Sequence, residues 1–236
     1  MINRLSLLLL LCLTACTSLT PTPTPVEVTS VPPIRYLALG DSYTIGESVE
    51  ASDRWPEQLA ELIKLSPHFG ESQRGVEVTI IARTGWTTRE LWEGIQGRKL
   101  EPPYDLVSLL IGVNNQYLGY DINEYREQFV FLLEKSIEYA GGDPNRVIVL
   151  SIPDWGVTPF AYGRSTTEIA KDIDAFNAVN REETEKVNAH YVDITPISRE
   201  AVNDPSLIAP DGLHPSGRMY VEWAKLALPI ALDVLK

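Results

Sequence analysis

The chain has 236 residues, 44% of them hydrophobic, with a formal net charge of −12, which suits one soluble domain of ordinary size with a real core. The acidic balance, with no cluster of Lys and Arg, argues against nucleic acid as a partner, because phosphate backbones demand concentrated positive charge. The only two cysteines, Cys12 and Cys16, lie at the front of the chain, which excludes an internal disulfide or a thiolate metal site in the folded part.

Residues 1–16 read as an export signal. Residues 1–4 are a short basic start, and 5–13 an apolar run too short for a spanning helix, which takes about 20 residues. Leu13-Thr14-Ala15-Cys16 is similar to a bacterial lipobox, in which the cysteine is acylated and becomes the mature N-terminus. A plain secretory signal with Cys16 incidental is the alternative. The expectation is an exported protein, lipid-anchored at Cys16 to the cell envelope. Residues 17–33 are rich in Pro, Thr, Ser and Val without a helical period. They predict an extended tether, which at ~3.1 Å per residue reaches roughly 50 Å. The folded domain is expected over 34–236.

Tyr36-Leu37-Ala38-Leu39 followed by Gly40 predicts a buried parallel strand. Gly40-Asp41-Ser42 then turns the chain, with room for a short helix. Trp55, Leu59, Leu62 and Ile63 fall at helical spacing over 53–65, with Pro56 in the first turn. Residues 67–75 read as a loop, and 76–82 as a second strand with Val76, Val78 and Ile80 alternating. It ends in Arg83-Thr84-Gly85-Trp86, after which Thr87 and Glu90 form a capping box for a helix. Residues 106–111 are almost wholly apolar, as a central strand should be, and Gly112-Val113-Asn114-Asn115 follows. A long amphipathic helix is expected over 121–140, a fourth strand over 146–152 and a loop over 153–164. A charged helix over 166–188, a short fifth strand over 190–194 and a loop over 205–216 follow. A last helix starts near 217, with a kink expected at Pro229. Strands alternating with helices predict an α/β fold, a doubly wound, five-stranded parallel sheet in one domain.

In open α/β sheets chemistry gathers at the carboxyl ends of the strands. Ser42 stands there, although the same turn would suit a serine that merely caps a helix. A serine nucleophile needs a base, and histidine is the usual one. The chain has three histidines. His68 and His190 precede strands and belong to the opposite edge of the sheet, which leaves His214 as the partner for Ser42. Asp211 precedes it by three residues in Asp-Gly-Leu-His-Pro, a spacing that lets a carboxylate reach Nδ1. The alternative is that Asp211 caps the last helix. Oxyanion donors could come from the N–H of Gly85, after the second strand, and the amide of Asn114, after the third. A tight turn and an Asx-turn are the plainer readings of those two residues.

Together, Gly40-Asp41-Ser42, Gly85, Gly112-Val113-Asn114 and Asp211-Gly212-Leu213-His214 resemble the four blocks of the SGNH (GDSL-type) hydrolase family, across 34–236. The resemblance implies a three-layer α/β/α, flavodoxin-like fold. It implies Ser42 as nucleophile, His214 as base and Asp211 as its partner. The oxyanion hole it implies consists of the N–H of Ser42, the N–H of Gly85 and the amide of Asn114. One position departs from the pattern: the third block commonly reads Gly-x-Asn-Asp, and here Asn115 takes the last place.

The expected activity is therefore that of a serine esterase, cleaving carboxylic esters of acetylated glycans or lipids through an acyl-enzyme. Trp86, Tyr117, Trp155 and Tyr162 sit in loops on the catalytic edge and are candidates for substrate contacts. No metal-ligand cluster or cofactor fingerprint is visible, so no metal and no cofactor are expected. A nucleotide-binding reading fails at Gly46, which is followed by Glu47 and Ser48 where a phosphate-binding loop needs Lys and Ser or Thr. A tethered binding protein that kept the fold without catalysis is the second reading.

Overall fold

The structure, a computed structural model, describes residues 31–67, 69 and 74–236. The expected signal with Cys16, residues 17–30 of the tether, and His68 lie outside the described residues.

One parallel sheet is built from β1 (Ile34–Gly40), β2 (Val76–Ala82), β3 (Leu106–Leu110), β4 (Val147–Leu150) and β5 (His190–Val192). The strands lie in the order β2-β1-β3-β4-β5, and every neighbouring pair is parallel. The apolar runs dictate the placement: β3 and β4 are buried at every residue, whereas β2, at an edge, alternates exposed Glu77 with half-buried Val76 and Val78.

Eight α-helices accompany the strands among the described residues: α1 (Ser42–Ile45), α2 (Trp55–Leu65), α3 (Thr88–Gln96), α4 (Val113–Tyr117), α5 (Ile122–Tyr139) and α6 (Thr166–Lys186) between strands, and α7 (Thr195–Arg199) and α8 (Gly217–Val234) after the last. Helices α2 and α8 pack on each other against one face of the sheet, and α3, α5 and α6 lie in a row against the other. This is the expected three-layer α/β/α fold. Trp55, Leu59 and Ile63 of α2 and Tyr220, Trp223 and Ala227 of α8 are almost wholly buried. Burial of each large apolar side chain contributes on the order of 1.5–3 kcal/mol.

The expected elements recur with small differences. Asp121 caps α5 by accepting the N–H groups of Asn123 and Glu124 at 2.9 and 3.2 Å, so it lies just before the helix. Helix α8 continues through Pro229 to Val234 as one element. Helices α4 and α7 were not expected, because a single turn is too short to show a helical period. Backbone at Pro67 and Phe69, in the expected loop, is helical.

One close approach sets up everything at the sheet edge. A Cβ added to Gly40 would stand 2.6 Å from the Leu110 carbonyl oxygen and 2.1 Å from Thr44 Oγ1. Glycine there lets β1 pass tightly beside β3 and turn at once into α1.

Candidate active site

The loops leaving β1, β2 and β3 emerge side by side, since β1 lies between the other two. Leaving β1, the Asp41 carboxylate accepts the Tyr43 N–H at 3.0 Å. Asp41, not Ser42, is therefore the cap of α1. The Ser42 hydroxyl makes no hydrogen bond among the described residues, and Ser42 lines a cleft of about 160 Å³ together with Gly85, Asn114 and His214.

His214 reaches that cleft from a loop pinned by an antiparallel bridge between Ile208 and Pro215, with the Ala209 N–H donating to the His214 carbonyl at 2.7 Å. Asp211 has four hydrogen-bond partners, three in its own loop and one from outside it. Its Oδ1 takes the N–H groups of Leu213 and His214 at 2.9 and 3.0 Å. Its Oδ2 lies 2.6 Å from Nδ1 of His214 and accepts the Ser48 hydroxyl at 2.8 Å. Partial burial pushes the Asp211 carboxyl up, but these donors, the His214 ring first, outweigh it and hold it down at about 2. The carboxylate is thus charged and aimed at the imidazole. The cap of α8 is Ser216, which accepts the Met219 N–H at 3.4 Å, so the helix-capping reading of Asp211 fails. His214 is buried, with its ring centroid 5.2 Å from that of Tyr43.

Gly85 borders the cleft with φ +82 and open space where a side chain would be. The Asn114 amide donates to the Trp86 carbonyl at 2.9 Å and stands 3.5 Å from Asp41 Oδ2, and no backbone N–H among the described residues donates to its oxygen, so it forms no Asx-turn. Asp41 is fully buried, and desolvation raises its carboxyl to about 7 despite the Tyr43 N–H. The side chain of Asn115 makes no hydrogen bond to that of Asn114. Its carbonyl accepts the Thr88 N–H at 3.1 Å, and its amide donates to the Thr88 hydroxyl at 2.8 Å. The departure from the family pattern therefore bears on the start of α3.

Of the four aromatic candidates, Tyr117 and Trp155 line the cleft, their ring centroids 5.3 Å apart and nearly perpendicular. Trp86 does not line it, because its indole is turned onto α3, where a Cβ on Gly94 would meet the ring at 2.1 Å. Tyr162, 96% exposed, points into solvent. Phe160 takes a place in the cleft wall instead, 6.0 Å from both Tyr117 and Trp155. Nothing in the sequence distinguished Phe160 from Tyr162, since a loop has no period that reveals which side faces in. Ser48 was missed as well: its bond to Asp211 spans 163 residues, and no local pattern carries it.

Comparison with known proteins follows the same outline. No curated protein matches the chain. Among solved structures, an acetylxylan esterase from Geobacillus stearothermophilus, Axe2, superposes with a TM-score of 0.64 at 20% identity, covering 84% of this chain and 93% of its own. TesA gives a TM-score of 0.62 at 16% identity, over 85% of this chain and 99% of its own. A member of the lipolytic G-D-S-L family from Veillonella parvula gives 0.55 at 21%, over 83% and 96%. At such identities the likeness establishes the fold. A sequence model extends this to the family, matching residues 38–221, from β1 through the Asp211–His214 loop into α8: the chain belongs to the GDSL-like lipase/acylhydrolase family, the SGNH hydrolases.

Proposed function

We propose that the protein hydrolyses carboxylic esters through an acyl-enzyme on Ser42. The observation that carries this reading is the 2.6 Å approach of Asp211 Oδ2 to His214 Nδ1 in a loop that delivers His214 to the cleft where Ser42 lies. Asp211 fixes the tautomer, leaving Nε2 to take the proton as Ser42 Oγ bonds to the acyl carbon. The carbonyl electrons move onto oxygen. We assign that oxyanion to the N–H groups of Ser42 and Gly85 and to the side-chain amide of Asn114. Collapse expels the alcohol, which takes the proton from His214. Water then repeats the sequence on the acyl group, giving the carboxylic acid and free Ser42.

The cleft of about 160 Å³ is comparable to a cavity that holds one benzene ring, which favours short acyl groups such as acetyl. The Tyr117, Trp155 and Phe160 wall is suited to the flat face of a sugar ring or a short acyl chain. An acetylated glycan is therefore our first substrate class, ahead of lipid esters. For location we propose export and lipid anchoring at Cys16 on the strength of the lipobox-like Leu13-Thr14-Ala15-Cys16. Retained incorporation of labelled palmitate in Cys16→Ser would refute the anchor. The activity is tested with p-nitrophenyl acetate and acetylated oligosaccharides, wild type beside Ser42→Ala. Hydrolysis by the wild type alone supports the proposal, and equal rates end it.

A further inference from the structure

We propose that Ser48 is a positioning residue, holding the Asp211 carboxylate in the plane that serves His214. The inference rests on the esterase reading and adds a member to its machinery. Ser48 lies six residues beyond Ser42, past the left-handed cap of α1 at Gly46, φ +68. The turn is anchored back on the nucleophile, since the Glu47 N–H donates to the Ser42 carbonyl at 3.0 Å. From there it holds two other loops. The Glu47 carboxylate accepts the Thr84 hydroxyl beside Gly85, and the Ser48 hydroxyl donates to Asp211 Oδ2 at 2.8 Å.

Two features separate this contact from an ordinary surface hydrogen bond. First, Ser48 has φ +66, and among the described residues only Asn188 shares a positive φ without being glycine. An L side chain in that region is strained, and such strain persists only where surrounding structure enforces it. Second, Oδ2 is the atom that faces His214 Nδ1. Oδ1 is already fixed by two backbone N–H groups, but an aspartate carboxylate turns easily about its last torsion. A second point of attachment on Oδ2 removes that freedom. Among the described residues the His214 ring has one hydrogen-bond partner, the Asp211 carboxylate, with the Tyr43 ring stacked at an angle beside it, so no second polar group there substitutes for the carboxylate.

The test compares Ser48→Gly and Ser48→Ala with wild type in the full chain. Glycine removes the hydroxyl and relieves the left-handed strain, so Ser48→Gly should melt no lower than wild type. Its kcat should nevertheless fall roughly tenfold with KM unchanged, since correct orientation acts on turnover. Ser48→Ala should lose the same activity while keeping the strain. The second readout is independent of turnover: the downfield proton resonance of His214 Nδ1–H should exchange with water faster in both variants. Wild-type kcat together with an unchanged resonance in Ser48→Gly would overturn the proposal. If the wild type hydrolyses no ester but the resonance responds, the positioning role stands and the esterase reading falls.

Discussion

The side-chain amide of Asn114 donates to the backbone carbonyl of Trp86 at 2.9 Å. That single bond joins the loop after β3 to the loop after β2 directly across the end of β1, where Ser42 begins α1. It orients the amide and the Gly85-bearing loop together. Asn114→Ala should lower kcat on p-nitrophenyl acetate by roughly 10²–10³-fold, the usual loss for one oxyanion donor, with the circular dichroism spectrum unchanged.

Asp41 ties the same region to pH. Its folded carboxyl titrates near about 7 because it is buried, well above the ordinary carboxylate value of about 4. The folded state therefore binds the extra proton, and this group's contribution to stability is present in full below about pH 4. It is lost as the pH rises through about 7. Asp41→Asn keeps the acceptor for the Tyr43 N–H and should remove that part of the slope. Urea denaturation at a series of pH values checks it, and parallel curves for the two proteins would count against it.

Asn115 stands where the family pattern has an aspartate. With both its polar atoms bonded to Thr88 in a fully buried site, the neutral amide serves as acceptor and donor at once. The Thr88 hydroxyl already donates to Gln128. In Asn115→Asp, that hydroxyl must abandon Gln128 or face a buried carboxylate without a donor. We expect a loss of about 1–3 kcal/mol at pH 8. Burial raises a carboxyl above its unfolded value, so the loss should shrink as the pH falls and the folded state takes up a proton. Thermal melts of both proteins at pH 5 and 8 measure it.

The cleft wall should govern acyl length. Tyr117 and Phe160 are partly exposed, at 41% and 45%, so truncating either should move stability by only about 1 kcal/mol. Phe160→Ala should raise the butyrate-to-acetate ratio of kcat/KM about tenfold, the discrimination typical of a methylene or two in an apolar pocket. An unchanged ratio would move the acyl group elsewhere. Arg164, whose guanidinium carbon lies 5.0 Å from the Tyr117 ring centroid and 5.2 Å from that of Trp155, braces the wall from outside.

The framework was readable because each strand carries its own signal. Apolar runs ending in glycine or polar turns marked β1 to β5, and their alternation with helices forced the parallel order. Assigning each histidine to a strand end left His214 as the partner of Ser42, and the structure places both in one cleft. Long-range polar contacts were not readable. Ser48 reaches Asp211, and Asn115 reaches Thr88, through folds in the chain that no spacing rule encodes. Trp86 and Tyr162 were chosen for their loops, but which way a loop side chain turns depends on packing, here against α3 for one and into solvent for the other.

Labelling with a fluorophosphonate, followed by mass spectrometry of the modified peptide, probes the centre of this account. A serine hydroxyl activated by the buried imidazole should be phosphonylated stoichiometrically at Ser42 in the wild type. Labelling should be lost in Ser42→Ala and slowed on the order of 10³-fold or more in His214→Ala. Equal labelling of the wild type and His214→Ala, or modification confined to another residue, would contradict it.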